Sequence, residues 1–457
     1  MNNLTNLSPL DGRYSNSTKL IADSFSEYAL IKYRLIVEIE WLKALSANET
    51  IEHINKFTKQ EIDFLNLIIK NFNHASAAEI KKIESITKHD VKAVEYYLKE
   101  KLKTHTSLAY AIESIHFALT SEDVNNIAYS LMLKEALTLT INPILLQLQT
   151  SLNNFAQKTS KFSILAKTHG QPASTSTLGK EIAVFSYRLN RQIKQLSTLE
   201  ILAKCNGAVG NYNAHYIAYP NIDWQQFSKD FLQTLGLEQA ILTTQIESHD
   251  NLAEHAHLFV RINMILLDLS QDLWGYISSN YLKQKISTNQ IGSSTMPHKI
   301  NPIDFENAEG NLGIANALLN HFATKLTKSR FQRDLSDSTV MRNIGVAFGH
   351  CYLSYLNLIK GLDKLEINPN SNINKLEQNW QILAEPVQTI MRKYKIENSY
   401  EKLKDISQEK VLTKAILDKF IEELNIPQYE KAKLYALTPE NYIGFAGTVN
   451  SLLDNLS

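Results

Sequence analysis

A chain of 457 residues is too long for one compact core, which predicts two or three domains. Only 15 glycines and 10 prolines occur in it, a low share that favours long helices. The 47 basic residues balance the 47 acidic residues, so the composition gives no support to a nucleic-acid-binding protein.

The first predicted elements are helices that follow an irregular N-terminal stretch. Residues 11–14, which read Asp-Gly-Arg-Tyr, form a turn with one cation and one aromatic ring. The apolar spacing from Ile21 to Leu45 is helical, and a second helix is expected from Lys59 to Phe72. A solvated turn is the alternative to a functional one at 11–14.

The next helix is expected to begin after a polar step at residues 87–90. Thr87 is a possible N-cap, with Asp90 three residues later, and the helix reaches about Leu102. His89 then lies at the positive end of the helix dipole, where an anion can bind. A plain capping turn is the alternative.

A very long helix is predicted in the middle of the chain. After a helical stretch from Ile112 to Ala118, Thr120 and Ser121 begin a helix that runs to about Thr159, with a bend near Pro143. The two hydroxyls are placed to cap this helix or to hold a phosphate or carboxylate.

The segment Lys167–Ala173 breaks the helical pattern sharply. His169 lies between Thr and Gly in a tight turn, from which it is expected to project out of a helix end. Long helices follow, from about Leu178 to Lys204 and from about Leu252 to Tyr281, and Gln245 precedes the second of them.

Residues 292–307, GSSTMPHKINPIDFEN, form a polar insert between two helices. Pro302 suits the first turn of the second helix. Ser293 and Ser294 offer hydroxyls beside the cationic Lys299. This combination predicts a mobile loop that closes over an anionic substrate, and an ordinary helix–helix linker is the alternative.

Arginines and hydroxyl side chains concentrate in residues 329–343. Arg333 and Arg342 can bind a phosphate through bidentate guanidinium bonds, with Ser338 and Thr339 between them. A charged surface loop is the alternative.

Cysteine usage and the absence of targeting signals indicate a soluble cytoplasmic protein. Two cysteines, Cys205 and Cys351, fit a reducing compartment, and their sequence context suggests no zinc site. The N-terminus does not read as a secretory signal, and no stretch approaches 18 apolar residues, so no membrane partner is expected.

Taken together, these motifs resemble the fumarase/aspartase superfamily and, within it, the adenylosuccinate lyases of bacteria. The segments that carry the resemblance are SPLDGRY, TKHDVKAVEYYL, HFALTSEDVNN, KTHGQPA, NGAVGNYNAH, GSSTMPHKINPIDFENAEGNLG and RDLSDSTVMRN. Argininosuccinate lyases usually carry Gln where His298 stands, whereas carboxymuconate cycloisomerases share TMPHK. Those two lyase families, and a non-catalytic helical scaffold, are the alternatives.

The resemblance implies an all-α protein with a three-domain fumarase/aspartase-like fold. The expected domains are residues 1–111, a central long-helix domain of residues 112–365 that carries the catalytic loop 288–304, and a small helical domain of residues 366–457. It also implies a homotetramer whose long helices complete one bundle and whose active sites are shared between subunits.

The reaction implied is β-elimination of fumarate from adenylosuccinate and from the succinylated imidazole-carboxamide ribotide (SAICAR), without a metal or another cofactor. Ser293 is the expected base, with Ser294 as the alternative, and His169 is the expected acid. Lys299 and Asn301 are expected to stabilise the carbanion.

Binding roles carry over to the matching positions of this sequence. They are Arg13 and Tyr14 for phosphate or ribose, and Lys88, His89, Asp90, Thr120, Ser121, Gln245, Asn307, Arg333, Ser338, Thr339 and Arg342 for the anionic groups. Lys88 departs from the small polar residue often found in related sequences, which puts the substrate contact there in doubt.

Overall fold

The computed structural model describes residues 3–285, 296, 298–371, 373–409 and 412–454, and helices dominate these residues. The helices of the first half are α1 Lys19–Phe25, α2 Glu27–Ala47, α3 Lys59–Lys70, α4 His74–Thr87, α5 Asp90–Lys103, α6 Ser121–Ala136, α7 Asn142–Lys158 and α8 Leu178–Leu196. A π-helical turn, Leu137–Ile141, joins α6 to α7. The all-α class predicted from the sequence is therefore confirmed.

The second half continues in the same way. Its helices are α9 Asn213–Ala218, α10 Trp224–Thr234, α11 Asp250–Ser278, α12 Ile303–Lys325, α13 Ser336–Met341, α14 Ile344–Lys364, α15 Ile373–Glu377, α16 Ala384–Lys393, α17 Ser399–Glu409, α18 Lys414–Glu423, α19 Gln428–Tyr435 and α20 Val449–Asp454. Short 3-10 helices cover Asn3–Thr5, Thr106–Ser114, Pro369–Ser371, Trp380–Leu383 and Gly444–Thr448.

Six short strands form three two-stranded sheets among the described residues. The strands are β1 Ser163–Thr168, β2 Gln171–Thr177, β3 Leu202–Ala203, β4 Glu238–Gln239, β5 Leu282–Gln284 and β6 Leu365–Ile367. The β1–β2 and β5–β6 pairs are antiparallel, and the β3–β4 pair is parallel.

Spatial proximity along the chain divides it into two compact units. Unit 1 comprises residues 1–145, 192–264 and 310–355. Its largest apolar core contains Trp41 and Trp224, which are both fully buried, together with side chains of α2, α5, α6 and α10. Aromatic rings pack edge-to-face in this core, and Trp41 lies 5.1 Å from Phe231 between ring centroids.

Unit 2 comprises residues 146–191, 265–309 and 356–457. Its C-terminal helices α16 and α18 bury Met391 and Ile421 in a core that also takes Leu165 from β1. The chain therefore enters unit 2 three times, and a boundary at one sequence position cannot separate the two units. The three-domain division stays a prediction.

Several sequence-based boundaries were wrong. Thr87 ends α4 and is not the N-cap of α5, because His89 takes that position. Residues 112–118 are not an α-helix, since a 3-10 helix ends at Ser114. The helix expected to reach Lys204 ends at Leu196. The segment around His169 is a β-hairpin and not a helix end.

One helical stretch, Ser121–Lys158, contains an 18-residue window with a mean hydropathy of 1.2, which is apolar enough to cross a membrane. Half of that window is buried inside the protein, and core helices of soluble proteins pass the same test. Polar residues lie between the apolar ones throughout this stretch, so it contains no uninterrupted apolar run of that length.

Candidate active site

The first part of the candidate site lies where α5 begins. His89 is the N-cap, and its Nδ1 accepts a hydrogen bond from the Lys92 amide at 3.1 Å. The Asp90 carboxylate receives Arg34 at 2.7 Å and Arg342 at 3.1 Å through one oxygen, Oδ2. Burial alone would raise the pKa of Asp90, but the two guanidinium groups and the Val91 amide lower it below its usual value. Asp90 is therefore held ionised.

The start of α6 is fixed by a fully buried carboxylate. Thr120, one of the two candidates that the sequence offered, is the N-cap, and its amide donates to Asp123 at 2.9 Å. Asp123 also pairs with the buried Lys204 ammonium at 3.0 Å, and it accepts the amides of Asn206 and Gly207, each at 3.1 Å. Such a paired and hydrogen-bonded buried charge ties the Thr120 turn to residues 204–207.

An arginine predicted to bind phosphate lies against the first turn of α6. Arg333 contacts Glu122 at 3.0 Å through Nη2, and its Nε lies 3.8 Å from Asp337. Burial raises the pKa of Glu122, although Arg333 opposes the rise. Burial would also raise the pKa of Asp337, but the His249 imidazole, whose Nε2 lies 3.9 Å from Oδ2, and the charge of Arg333 lower it overall.

A continuous polar relay connects these two parts of the site. Arg34, which contacts Asp90, donates from Nε to Asn125 at 2.8 Å. Asn125 donates to Glu122 at 3.4 Å, and Glu122 contacts Arg333. The structure therefore brings Asp90, Arg333 and the first turn of α6 into one network within unit 1.

Several members of this network were missed in the sequence. They are Glu27, Arg34, Glu122, Asn125, His249 and Asp337. Glu122 and Asn125 lie in the quoted TSEDVNN motif, so that motif was the available signal. Arg34 is a charged residue among buried apolar positions of α2, where it is 2% exposed, and this is a second usable signal.

A small cavity of about 10 Å³ lies at the centre of the relay, which is room for about one water molecule. It is lined by Arg34, Glu122, Asn125, Tyr129, His249, Arg333, Asp337, Ser338 and Met341. Within the described part of the chain, three buried nitrogens of this lining lack a hydrogen-bond partner, namely Arg34 Nη1, His249 Nε2 and Arg333 Nε. These unpaired nitrogens mark the cavity as a polar site.

A larger cleft of about 300 Å³ opens beside Arg342 and Glu27. Its other lining residues come from residues 8–26 and from the first turns of α14. Arg342 is held there by Glu27 at 2.6 Å. Arg13 is exposed and lies 5.7 Å above the ring of the adjacent Tyr14. This volume is at the lower end of those typical for small-molecule sites.

The remaining predicted residues of unit 1 have local roles in the structure. Gln245 donates to the Ala208 carbonyl at 3.0 Å. Lys88 caps α4 in the left-handed conformation with φ of 56°. Ser121 opens α6, and Thr339 is exposed on α13.

His169 lies at the exposed tip of the β1–β2 hairpin. His169 and Gly170 have φ of 52° and 75°, the backbone of a two-residue hairpin turn. The base of the hairpin is bound to the C-terminal segment, because Ser163 donates to the Glu440 carbonyl at 2.9 Å and Thr175 to the Pro439 carbonyl at 2.5 Å. The His169 imidazole therefore lies at the tip of a hairpin of unit 2 whose base is anchored to the C-terminal segment.

The other catalytic prediction, Ser293, and its alternative Ser294 lie outside the described residues. Lys299 is exposed, and its amide donates to the Met296 carbonyl at 3.0 Å. Asn301 is partly buried, and Asn307 accepts a hydrogen bond from Asn357 at 2.7 Å. These three residues belong to unit 2, as His169 does.

No cluster of three or more His, Cys, Asp or Glu side chains suited to a metal ion occurs among the residues that the structure describes. Both cysteines are buried and unbridged. The polar groups of the site are therefore arginines, carboxylates, hydroxyls, amides and histidines, which suit anion binding and proton transfer.

Comparison with known proteins places the chain in a family. Residues 12–316 match the lyase family, and residues 329–443 match the adenylosuccinate lyase C-terminal family. The chain is 51% identical over 446 residues to adenylosuccinate lyase of Haemophilus influenzae, with 98% of each chain covered. It is 49% identical over 449 residues to the enzyme of that name from Escherichia coli K12, again with 98% of each chain covered.

Solved structures share the fold at much lower identity. A fumarate lyase from Mesorhizobium sp. BNC1 has a TM-score of 0.74 at 16% identity, with 95% of this chain and 96% of that chain covered. The 3-carboxy-cis,cis-muconate lactonizing enzyme of Pseudomonas putida has a TM-score of 0.73 at 18% identity, with the same coverage. These likenesses concern the fold alone.

Proposed function

The chain belongs to the adenylosuccinate lyase family of the fumarase/aspartase superfamily, and from this membership we propose that it cleaves adenylosuccinate into AMP and fumarate. The same elimination applied to SAICAR releases AICAR and fumarate. The observation that carries the proposal is the identity to adenylosuccinate lyases over nearly the whole of both chains. The argininosuccinate lyase, cycloisomerase and scaffold alternatives are not favoured, because the C-terminal segment matches the adenylosuccinate lyase family.

The elimination requires a base at the carbon next to the one that bears the nitrogen, and an acid at the leaving nitrogen. We assign Ser293 as the base that removes a proton from the succinyl carbon beside a carboxylate. The electron pair forms the double bond of fumarate, the C–N bond breaks, and His169 protonates the leaving nitrogen. The exposed position of His169 on the hairpin tip supports this role, because an acid must reach a substrate.

The negative charge that develops beside the carboxylate needs positive charge and N–H donors. We assign this role to Lys299 and Asn301, which follow Ser293 in the same segment. The exposure of the Lys299 side chain supports the assignment, since its ammonium is accessible to a bound anion.

We assign the nucleotide phosphate to Arg333, Ser338 and Arg342. The relay around Arg333 and the cleft beside Arg342 support this assignment, because both lie in unit 1 and both present guanidinium groups. Arg13 and Tyr14 bind phosphate or ribose, and Lys88, His89, Asp90, Thr120, Ser121, Gln245, Asn307 and Thr339 complete the proposed contacts to the substrate.

We propose a soluble cytoplasmic homotetramer with shared active sites and the three domains 1–111, 112–365 and 366–457. The support is that long helices expose large apolar side chains, which a second copy can cover. They are Leu146 on α7, Val184 and Tyr187 on α8, Met264 and Trp274 on α11, and Ile303 and Ile314 on α12.

The assay that tests the reaction follows the absorbance change on cleavage of adenylosuccinate, with argininosuccinate as the matched alternative. Cleavage of adenylosuccinate alone is expected, and cleavage of argininosuccinate instead would overturn the proposal. His169→Ala and Ser293→Ala should each lose roughly 10²–10⁴-fold in kcat. If only Ser294→Ala is inactive, the base is Ser294.

Mixing subunits tests whether the sites are shared. Co-refolded His169→Ala and Ser293→Ala subunits should recover part of the wild-type activity, because some sites then combine an intact acid with an intact base from different subunits. No recovery in a verified mixed tetramer would exclude this sharing. Each single variant refolded alone is the control.

A further inference from the structure

Glu122 is placed against the arginine to which the phosphate is assigned. Its Oε2 lies 3.0 Å from Arg333 Nη2, and it is 4% exposed. It also accepts a hydrogen bond from Asn125 at 3.4 Å. A carboxylate at this position does two things, because it holds the guanidinium in place and also offsets its positive charge.

The charged and titratable groups that face Glu122 come from every element around the cavity. They are Arg34 of α2, Tyr129 of α6, His249 before α11, Arg333 before α13 and Asp337 of α13. Arg34 is already paired with Asp90, and Arg333 lies between Glu122 and Asp337. On the side of the cavity that includes Ser338, the two carboxylates of Glu122 and Asp337 therefore flank the single guanidinium of Arg333.

The cavity between these groups measures about 10 Å³, which admits a water molecule but not a phosphate group. A phosphate that binds Arg333 must therefore either displace Arg333 from Glu122 or approach with the carboxylate close behind the guanidinium. In both arrangements an anionic ligand and an anionic side chain compete for one cation.

We propose that Glu122 sets the affinity of this site for phosphate-bearing ligands, by occupying Arg333 in the free protein and by repelling the phosphate unless Glu122 takes up a proton. The inference rests on the proposed function, which assigns a phosphate ester to Arg333. Glu122 is a specificity-determining residue in this scheme and takes no part in the elimination.

Proton uptake by Glu122 gives the inference a distinctive signature. Burial favours the neutral form of this carboxyl, and an arriving phosphate favours it further. Replacement by Gln keeps an oxygen that can accept from Arg333 but removes the charge permanently. The variant and the wild type should therefore differ most at alkaline pH and converge at acidic pH, where the wild-type carboxyl is also neutral.

The test is isothermal titration calorimetry, which measures the dissociation constant of AMP for the full-length wild type, Glu122→Gln and Glu122→Met. The same measurement is made separately with adenosine, which lacks the phosphate. At about pH 8, both variants should bind AMP about tenfold more tightly than the wild type does. At about pH 5 the ratio should be smaller than at about pH 8, because a falling pH favours the neutral form of Glu122 and also removes a charge from the AMP phosphate, and both changes weaken the repulsion between them. Adenosine affinity should not change.

Two further variants separate the possible failures. Glu113→Gln changes an exposed carboxylate paired with Lys99 and should behave as the wild type does. Arg333→Gln should weaken AMP binding but leave adenosine binding unchanged. If it weakens both equally, Arg333 does not bind the phosphate and the inference is overturned.

The inference is also overturned if Arg333→Gln weakens AMP selectively but Glu122→Gln and Glu122→Met bind AMP at about pH 8 no more tightly than the wild type. A wild type that binds AMP but does not cleave adenylosuccinate would instead contradict the proposed function. A difference between Glu122→Gln and the wild type that is the same at both pH values would exclude proton uptake by Glu122.

Discussion

His215 permits a quantitative prediction about stability and pH. Its side chain is fully buried, 4.9 Å from Trp224 and 5.4 Å from Tyr212 between ring centroids. Neither ring nitrogen has a hydrogen-bond partner among the residues that the structure describes. Burial, assisted by the nearby Lys204 and opposed by Asp123, lowers the pKa of this imidazole from 6.5 to about 4. The native protein therefore holds His215 neutral.

The sign of the effect follows from proton binding. Between about pH 4 and 6.5 the unfolded chain binds a proton at His215 that the native chain does not, so the free energy of unfolding rises with pH across this window. At about 1.4 kcal/mol per pH unit, the shift amounts to about 3 kcal/mol. That stability is present above pH 6.5 and is lost as the pH falls to about 4.

His215→Leu removes this titration, and the measurement is urea unfolding from about pH 4 to 8 at one fixed protein concentration. The difference in unfolding free energy between wild type and variant should fall by about 3 kcal/mol from neutral to acidic pH. His321→Gln, which changes an exposed histidine on α12, is the control. A wild-type-minus-variant difference that does not vary with pH would refute the reasoning, whatever its size.

Three more changes test the packing around the site. Lys204→Met leaves Asp123 buried without its cation, and the expected loss in urea unfolding is about 3–5 kcal/mol, of which the double variant with Asp123→Asn should restore part. Gly210→Ala places a methyl group 2.3 Å from the Thr243 carbonyl oxygen at φ of 77°, so a loss of about 1–3 kcal/mol or more is expected in the same assay. Cys205 and Cys351 are buried, and burial raises the pKa of the Cys351 thiol to about 11, so neither should react with a thiol reagent until the chain is unfolded in urea. A loss below about 1 kcal/mol for Lys204→Met would contradict the role of the buried Asp123–Lys204 pair. An unchanged stability of Gly210→Ala would contradict the close approach at Gly210. Rapid thiol labelling of the native protein would contradict the burial of the cysteines.

The long helices were predictable because their apolar residues recur at helical spacing. α12 begins at Ile303, directly after Pro302, and α8 begins at Leu178, the expected position. The hairpin that carries His169 was not predictable in this way. Its second strand reads QPASTST, in which short hydroxyl side chains give no apolar alternation. Those hydroxyls bond to carbonyls more than 250 positions away, so tertiary contacts stabilise the strand.

The site shows the same division between local and long-range information. Motifs identified Asp90, Arg333 and Arg342 as candidates, because each lies in a distinctive polar segment. They did not identify Arg34, which lies in a helix with no such motif. Its role depends on residues 90 and 125, which reach it only when α2 packs with α5 and α6. A contact between two segments that are distant in sequence cannot be predicted from either segment alone.

The three arginines of the relay and the adjacent cleft are each bound to a carboxylate before any substrate arrives. Arg34 is bound to Asp90, Arg342 to Glu27 and Asp90, and Arg333 to Glu122. Such pairing fixes the guanidinium groups, which favours precise placement of a substrate, but it also reduces the field that would attract an anion from solution. An incoming phosphate or carboxylate then competes with an internal carboxylate for the same guanidinium. It follows that the affinity of this site for an anion depends on how easily the internal carboxylates are displaced or neutralised. Glu122 is buried and paired with only one guanidinium, so its surroundings favour its neutralisation most directly.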